Sequence, residues 1–389
     1  MAKHPSNLYD PFSLETQLDP YPSYARLLEH EPVYRNRERG FYALSRYADV
    51  QGAFRDWETY SSAGGVTVDD LLEITGPSFL TSDPPRHDAL RDILKSSFRP
   101  KQIATLADTV CTHVGALLAD LGDEVDVVEA FAQPLPVRVI CELLGFPLAD
   151  EPMLRRWSDL ILERLPDDDQ TPAAARSAAA EMRSYFVAQL DERRRTRADD
   201  LVGLVAHARV DGTNLPEEEQ IGICFLLFEA GNSTTKSLLA NSVYLLAEHP
   251  VQREWLRAHP NRIDGAVEEI LRFESPVQNM GRIVSRTVVL HGATLPAGAR
   301  VLLLIGAANR DPRVFAAPDR LDLSRRPLRN LAFGDGIHHC IGAPLARLEA
   351  RIALPALLAR FPAHAVVELE RFHDVTQRNF KKLVIRSER

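Results

Sequence analysis

The stretch from Leu331 to Arg351, LAFGDGIHHCIGAPLARLEAR, places one of the four cysteines among three glycines and two histidines, just ahead of a helical pattern. A lone free cysteine is most often a small buried hydrophobe, but the setting of Cys340 suits chemistry. Gly334, Gly336 and Gly342 allow tight backbone and close approach to a ligand, and Pro344 fits the first turn of the following helix. A sulfur before a helix N-terminus meets free N–H groups and the positive end of the dipole, which favour the thiolate. Such a thiolate is a good soft ligand for iron. Cys111, Cys141 and Cys224 form no CxxC pair or zinc spacing and lie in apolar helical sequence. They read as core residues of a chain kept in a reducing compartment.

Three further clusters stand out. In VEEILR, Glu269 and Arg272 are neighbours at i,i+3 on a helix face. In DPPRHDALRDILKSSFRP, His87 and Arg91 share a face at i,i+4, and both residue types suit carboxylates. In FLLFEAGNSTTKSLLANSV, the small pair Ala230-Gly231 is followed by Asn232, Ser233 and Thr234, with Glu229 just before it. A threonine there can also simply bond its own turn.

The pattern Phe333-x-x-Gly336-x-His338-x-Cys340-x-Gly342 resembles the haem-binding loop of the cytochrome P-450 superfamily, the haem-thiolate monooxygenases. The resemblance runs from about Asp19-Pro20-Tyr21-Pro22 to the end of the chain. It implies haem b, with Cys340 as axial thiolate and metal ligand and Phe333 shielding the sulfur. Gly334 and Gly342 belong to the same loop, and Ala230 lies where the distal helix approaches the haem. His338 is implied on a haem propionate, with His87, Arg91 and Arg282 as further propionate ligands. Glu269 and Arg272, completed by Arg320 in PDRLDL, are implied as a buried network supporting the loop.

The same resemblance makes Thr234 the residue that holds water and feeds protons to dioxygen, on a kinked or bulged turn. The family's usual acid is absent, and Ser233 stands in its position. Asn232 and Ser233 then organise a water chain, or Glu229 takes the role or binds a polar substrate group, or peroxide serves better than dioxygen. On an ideal helix Glu229 and Thr234 point roughly 140° apart, so only a bulge unites them.

The expected pocket draws on Gly64 to Leu80, Trp157 to Leu165, and Leu226, Ala230, Val277, Gln278, Asn279 and Phe380. Its mostly apolar lining suits a hydrophobic organic molecule of moderate size. The resemblance implies insertion of one oxygen atom from O2, with electrons from a separate ferredoxin or flavodoxin and its reductase, since none is fused on. Arg99, Lys101, Arg347 and Arg351 are basic candidates for that docking face. The rivals are a peroxide-driven oxygenase and a non-catalytic haem-binding or sensing protein; Thr234 and the Ala230-Gly231 pair favour an enzyme.

These groups need a large frame to hold them. The chain has 389 residues, 45% of them hydrophobic, which is ample for a large core. With 46 basic against 54 acidic residues and a net charge of −8, nothing suggests a nucleic-acid binder. The opening residues, MAKHPSNLYDPFSLETQLDPYP, have no apolar run for a signal peptide or membrane anchor. The most apolar helix, near Ile221 to Phe228, meets Glu229 well short of the roughly 20 residues a span needs. A cytoplasmic protein is expected. Apolar spacing of three and four predicts helices over Pro22–His30, Arg86–Phe98, Lys101–Asp120, Leu135–Leu144, Pro172–Arg195, Pro216–His249, Val251–Ala258 and Arg262–Phe273. PVYRNRERGFYALSR predicts short strands around a charged turn. RIVSRTVVLHGATLPAGARVLLLIGAANRDP alternates around turns at His291-Gly292 and Pro296-Ala297-Gly298. The expected fold is mainly α with a smaller β region, a cytochrome P-450 fold in one domain over 1–389, with the haem between a long distal helix and the proximal cysteine loop.

Overall fold

Helices dominate, as the spacing predicts. The computed structural model describes residues 8–68, 71–196, 198–326 and 329–388. Residues 1–7, read above for a leader, and Asp69 and Asp70 of the pocket segment lie outside them. In chain order the first helices are α1 (Leu14–Leu18), α2 (Tyr21–His30), α3 (Tyr47–Arg55), α4 (Leu71–Thr75), α5 (Arg86–Lys95), α6 (Pro100–Ala104), α7 (Ala107–Ala119) and α8 (Pro134–Leu144). Then come α9 (Glu151–Leu162), α10 (Ala173–Thr196), α11 (Leu201–Ala206), α12 (Glu217–Glu248), α13 (Pro250–Ala258), α14 (Ile263–Phe273), α15 (Ile305–Ala308) and α16 (Ala343–Arg360).

The axis of the fold is α12, 32 residues long and so roughly 48 Å. Ile221, Cys224, Phe225, Phe228, Leu238 and Leu239 are all buried on it. A helix apolar on every side is a core helix, and α8, α10, α14 and α16 pack around it. Gly231 is small because of α8: a Cβ there would come 2.8 Å from Ile140 Cδ1. The expected bulge at Ala230–Thr234 is absent, and α12 is continuous helix. Asn232 Nδ2, Ser233 Oγ and Thr234 Oγ1 each donate to the carbonyl four residues back, at 2.7, 2.7 and 2.9 Å. Those bonds run beside the main-chain ladder and leave it intact. A π turn lies instead at Val128–Ala132.

The strands are β1 (Val33–Asn36), β2 (Phe41–Leu44), β3 (Tyr60–Ser61), β4 (Glu124–Asp126), β5 (Arg209–Val210), β6 (Thr213–Asn214), β7 (Asn279–Val284), β8 (Val288–Leu290), β9 (Ala293–Leu295), β10 (Arg300–Leu304), β11 (His364–Arg371) and β12 (Phe380–Ser387). One five-stranded sheet runs β1-β2-β10-β7-β3, with β10 parallel to β2 and antiparallel to β7. The predicted turn at His291-Gly292 joins β8 to β9, both turn residues having positive φ. The β11-β12-β4 sheet has no counterpart in the sequence reading, because β11 exposes most of its residues and lacks a clean alternation.

Of the cysteines read as core, Cys141 and Cys224 are buried but Cys111 is exposed. On α7 the inward face is Val110, His113, Val114 and Leu117, and Cys111 lies off it. No helix among the described residues is long and apolar enough to cross a membrane.

Candidate active site

A mostly apolar cavity of about 320 Å³ lies between α12 and the loop before α16. Cys340, Phe333, Gly334, Gly342 and His338 line it from the loop, and Leu226, Glu229, Ala230, Ser233 and Thr234 from α12. Arg91 reaches it from α5 and Arg282 from β7, while Val66, Leu72 and Phe79 of the 64–80 segment roof it. From α9 the contributors are Ile161 and Leu162; Trp157 points elsewhere and donates to Glu181.

The loop is built around backbone constraints. Gly334 and Gly336 both sit at φ +67°, and a Cβ on Gly336 would strike the Phe54 carbonyl oxygen of α3. Cys340 N donates to Phe333 O at 2.9 Å, closing the loop on itself. Asp335, which the sequence reading passed over, pins it. It accepts from Gln51 Nε2 at 3.0 Å, Arg55 Nε at 3.1 Å, Arg329 Nη2 at 2.6 Å and the Gly336 amide at 2.7 Å. Burial alone raises its carboxyl, but that amide and the Arg55 and Arg329 guanidiniums hold it below the ordinary value.

Cys340 is exposed to the cavity; the surrounding protein raises its thiol by desolvation, and the Gly342 and Ala343 amides with Arg91 and Arg347 pull it back in part. A metal cation at the sulfur would favour the thiolate. Phe333 lies beneath the Arg347 guanidinium, 4.4 Å from ring centroid to Cζ.

Above the loop is a cluster of cationic and imidazole groups; His87 Nδ1 meets Asp88 Oδ1 at 2.8 Å, but among the described residues no ion pair joins His338, Arg91 or Arg282. Neither ring nitrogen of His338 has a hydrogen-bond partner, and His87 Nε2 has none. The two rings meet edge to face at 4.5 Å. Burial, then Arg282, His87 and Arg91, pushes His338 down to about 2. Arg282 is fully enclosed, and burial lowers it to about 10 against the pull of Asp83. Arg91 Nη2 donates to His339 O at 2.5 Å and Arg282 Nη1 to Gly281 O at 2.7 Å. Orphaned donors and converging guanidiniums are what a buried dianion requires. Among the described residues no three His, Cys, Asp or Glu gather to hold a bare metal ion. One cysteine with a carboxylate-binding cluster therefore fits a metal that brings its own ring of ligands and two acidic side arms.

The loop hangs on a buried network. Arg272 Nε and Nη2 clamp both Glu269 oxygens at 2.8 Å. Arg272 also donates to Asn309 O at 3.0 Å, and Asn309 Oδ1 accepts from Leu331 N at 2.7 Å. Arg320 does not complete this network. Its side chain is 70% exposed and pairs with Asp322. The third member is Arg325, 15% exposed, with Nε 3.2 Å from Glu269 Oε1. The segment curls, Asp322 N donating to Glu269 and Arg325 N to Asp322 O, so the later arginine swings inward.

Several expected pocket residues lie elsewhere. Gln278 is buried against Tyr24 and Ser275, Asn279 bonds Tyr9 and Val375 O, and Phe380 packs in the core against Tyr244 and Arg371. In β7 the alternation turns Met280 and Arg282 to the cavity and Asn279 away; ahead of the strand Val277 lines the cavity and Gln278 does not. Asn232 is buried off the cavity, its Oδ1 3.3 Å from Ser158 Oγ of α9. Ser233 Oγ accepts from Gln377 Nε2 at 3.1 Å, a polar wall residue with no motif to signal it. On the outer face Arg347 and Arg351 are paired with Glu268 and Asp264, while Arg99 and Lys101 are exposed.

Comparison with known proteins agrees with this geometry. The sequence profile of the family described as Cytochrome P450 matches residues 173–387. The chain is 39% identical to cytochrome P450 monooxygenase PikC of Streptomyces venezuelae, over 88% of this chain and 84% of that protein. It is 36% identical to the erythromycin C-12 hydroxylase of Saccharopolyspora erythraea, over 92% and 90%. In structure it is similar to CYP109E1 of Bacillus megaterium in complex with testosterone, at TM-score 0.89 and 31% identity, covering 96% of this chain and 99% of that one.

Proposed function

This chain belongs to the cytochrome P450 family and is a haem monooxygenase, and on that basis we propose that it inserts one oxygen atom from O2 into a hydrophobic organic molecule held between Cys340 and the roof of Val66, Leu72 and Phe79. The observation that carries this reading is the meeting of Cys340, the unpaired His338–Arg91–Arg282 cluster and Thr234 on one mostly apolar cavity.

In this reading Cys340 would supply the thiolate that holds haem b, and His338, His87, Arg91 and Arg282 would bind its propionates. Bound there, the haem supplies activation of dioxygen and transfer of one oxygen atom. The protein's share is positioning, protons and exclusion of water. The apolar side chains of the roof and α12 desolvate the substrate. Thr234 Oγ1 now bonds Ala230 O; turned into the cavity, it offers a hydroxyl to water beside the reacting atoms. At Ser233, where the family's signature has an acid, a serine–glutamine pair holds water but stores no proton as a carboxylate does. Electrons come from a separate ferredoxin or flavodoxin and its reductase, with Arg99 and Lys101 as exposed cations for docking.

The peroxide-driven reading rests on that same Ser233–Gln377 pair. Purified holoenzyme with a ferredoxin system and O2, compared with peroxide alone, separates the two by product formed. Loss of the red-shifted carbonyl band in Cys340→Ser is the expected result for thiolate ligation; an unchanged band overturns it.

A further inference from the structure

We propose that Glu229 makes this cavity selective for substrates carrying a basic amine, its carboxylate meeting the protonated nitrogen. The inference rests on the monooxygenase reading and names the substrate class for it.

Among the described residues Glu229 is the one acidic group lining the cavity. Its Oε2 accepts from Ser158 Oγ at 2.8 Å, which fixes the carboxyl against α9. Its Oε1 is buried and has no partner. Lys236, the cation whose charge acts on Glu229, is already committed to Asp159 at 2.8 Å and lies over the Phe372 ring, so Glu229 has no direct ion pair. Buried carboxyl oxygens without partners are costly, and a ligand donor of positive charge relieves that cost.

A proton relay is the other use for this group, and the helix disfavours it. With α12 unbroken, Glu229 and Thr234 diverge by roughly 140°, and the shared Ser158 leads towards α9 rather than Thr234. Burial raises the Glu229 carboxyl to about 8; Asp159 and Asp374 push the same way, while Ser158 and Lys236 oppose them. Near neutral pH this acid is therefore largely protonated, and a cationic ligand draws off its proton.

The test uses holoenzyme and three probes of equal chain length: N,N-dimethyloctylamine, 1-octanol and octanoate. Binding is read by calorimetry at about pH 9, where alkylamine and carboxylate are both charged. The amine is expected to bind about tenfold or more tighter than the alcohol, and octanoate weakest. Glu229→Gln should abolish the amine's advantage and leave octanol binding in place. Equal affinity for amine and alcohol in the native protein, or an advantage that survives Glu229→Gln, overturns the proposal. The carbonyl band of both proteins is recorded in parallel. A native band without amine preference sinks this inference alone, and a missing band in the native protein sinks the monooxygenase reading beneath it.

Discussion

Arg325 Nε lies 3.2 Å from Glu269 Oε1, against the clamp that Arg272 makes on the same carboxylate. Two guanidiniums thus share one buried acid, and the chain beyond Arg325 leads on to Cys340. Arg325→Ala is expected to cost about 1.5–3 kcal/mol, the range for hydrogen bonds to charged groups. Arg320→Ala, at an exposed pair, should stay within about 0.5 kcal/mol. Urea unfolding of both variants separates them; equal losses would return Arg320 to the network.

Gly336 holds φ +67° with no room for a Cβ beside the Phe54 carbonyl. Left-handed backbone alone costs a residue with a Cβ about 1–2 kcal/mol, and here main chain of α3 must also move. Gly336→Ala should lose about 2 kcal/mol or more and retain haem less well. Thermal melts and the haem-to-protein absorbance ratio check this.

Ser233→Asp restores a carboxylate where Gln377 Nε2 already stands ready to donate. General acid–base groups contribute large factors when positioned, so the share of reducing equivalents recovered in product should rise about twofold or more. Unchanged or poorer coupling would show that the serine is no deficit.

Glu229 makes stability depend on pH. Its carboxyl rises from 4.5 to about 8 in the folded chain through burial. Below 4.5 folded and unfolded chains both hold the proton. Between 4.5 and 8 only the folded chain does, so this group's contribution falls as pH rises through that window and levels off above it. Glu229→Gln removes the dependence, and the variant should gain on the native protein by a few kcal/mol at most between about pH 5 and pH 8. Parallel urea titrations at both pH values measure the gain, and a constant difference refutes it.

The sequence by itself determined the helical class, the long apolar α12, the β8–β9 turn and the glycine-rich loop around Cys340. Each of these is written in local spacing: apolar periodicity, turn residues, glycines at fixed offsets. It also singled out His87, Arg91, Arg282 and His338, though only folding brings four such distant positions together. Tertiary structure alone decided that Arg325 rather than Arg320 faces Glu269, because two arginines five residues apart look alike until the segment curls. It decided that Gln278, Asn279 and Phe380 turn away from the cavity, since which face of a strand is buried depends on what packs there. And it decided the setting of Glu229, whose partner Ser158 lies 71 positions earlier. No local pattern encodes that contact; it exists because α9 is laid across α12 by packing that the whole core determines.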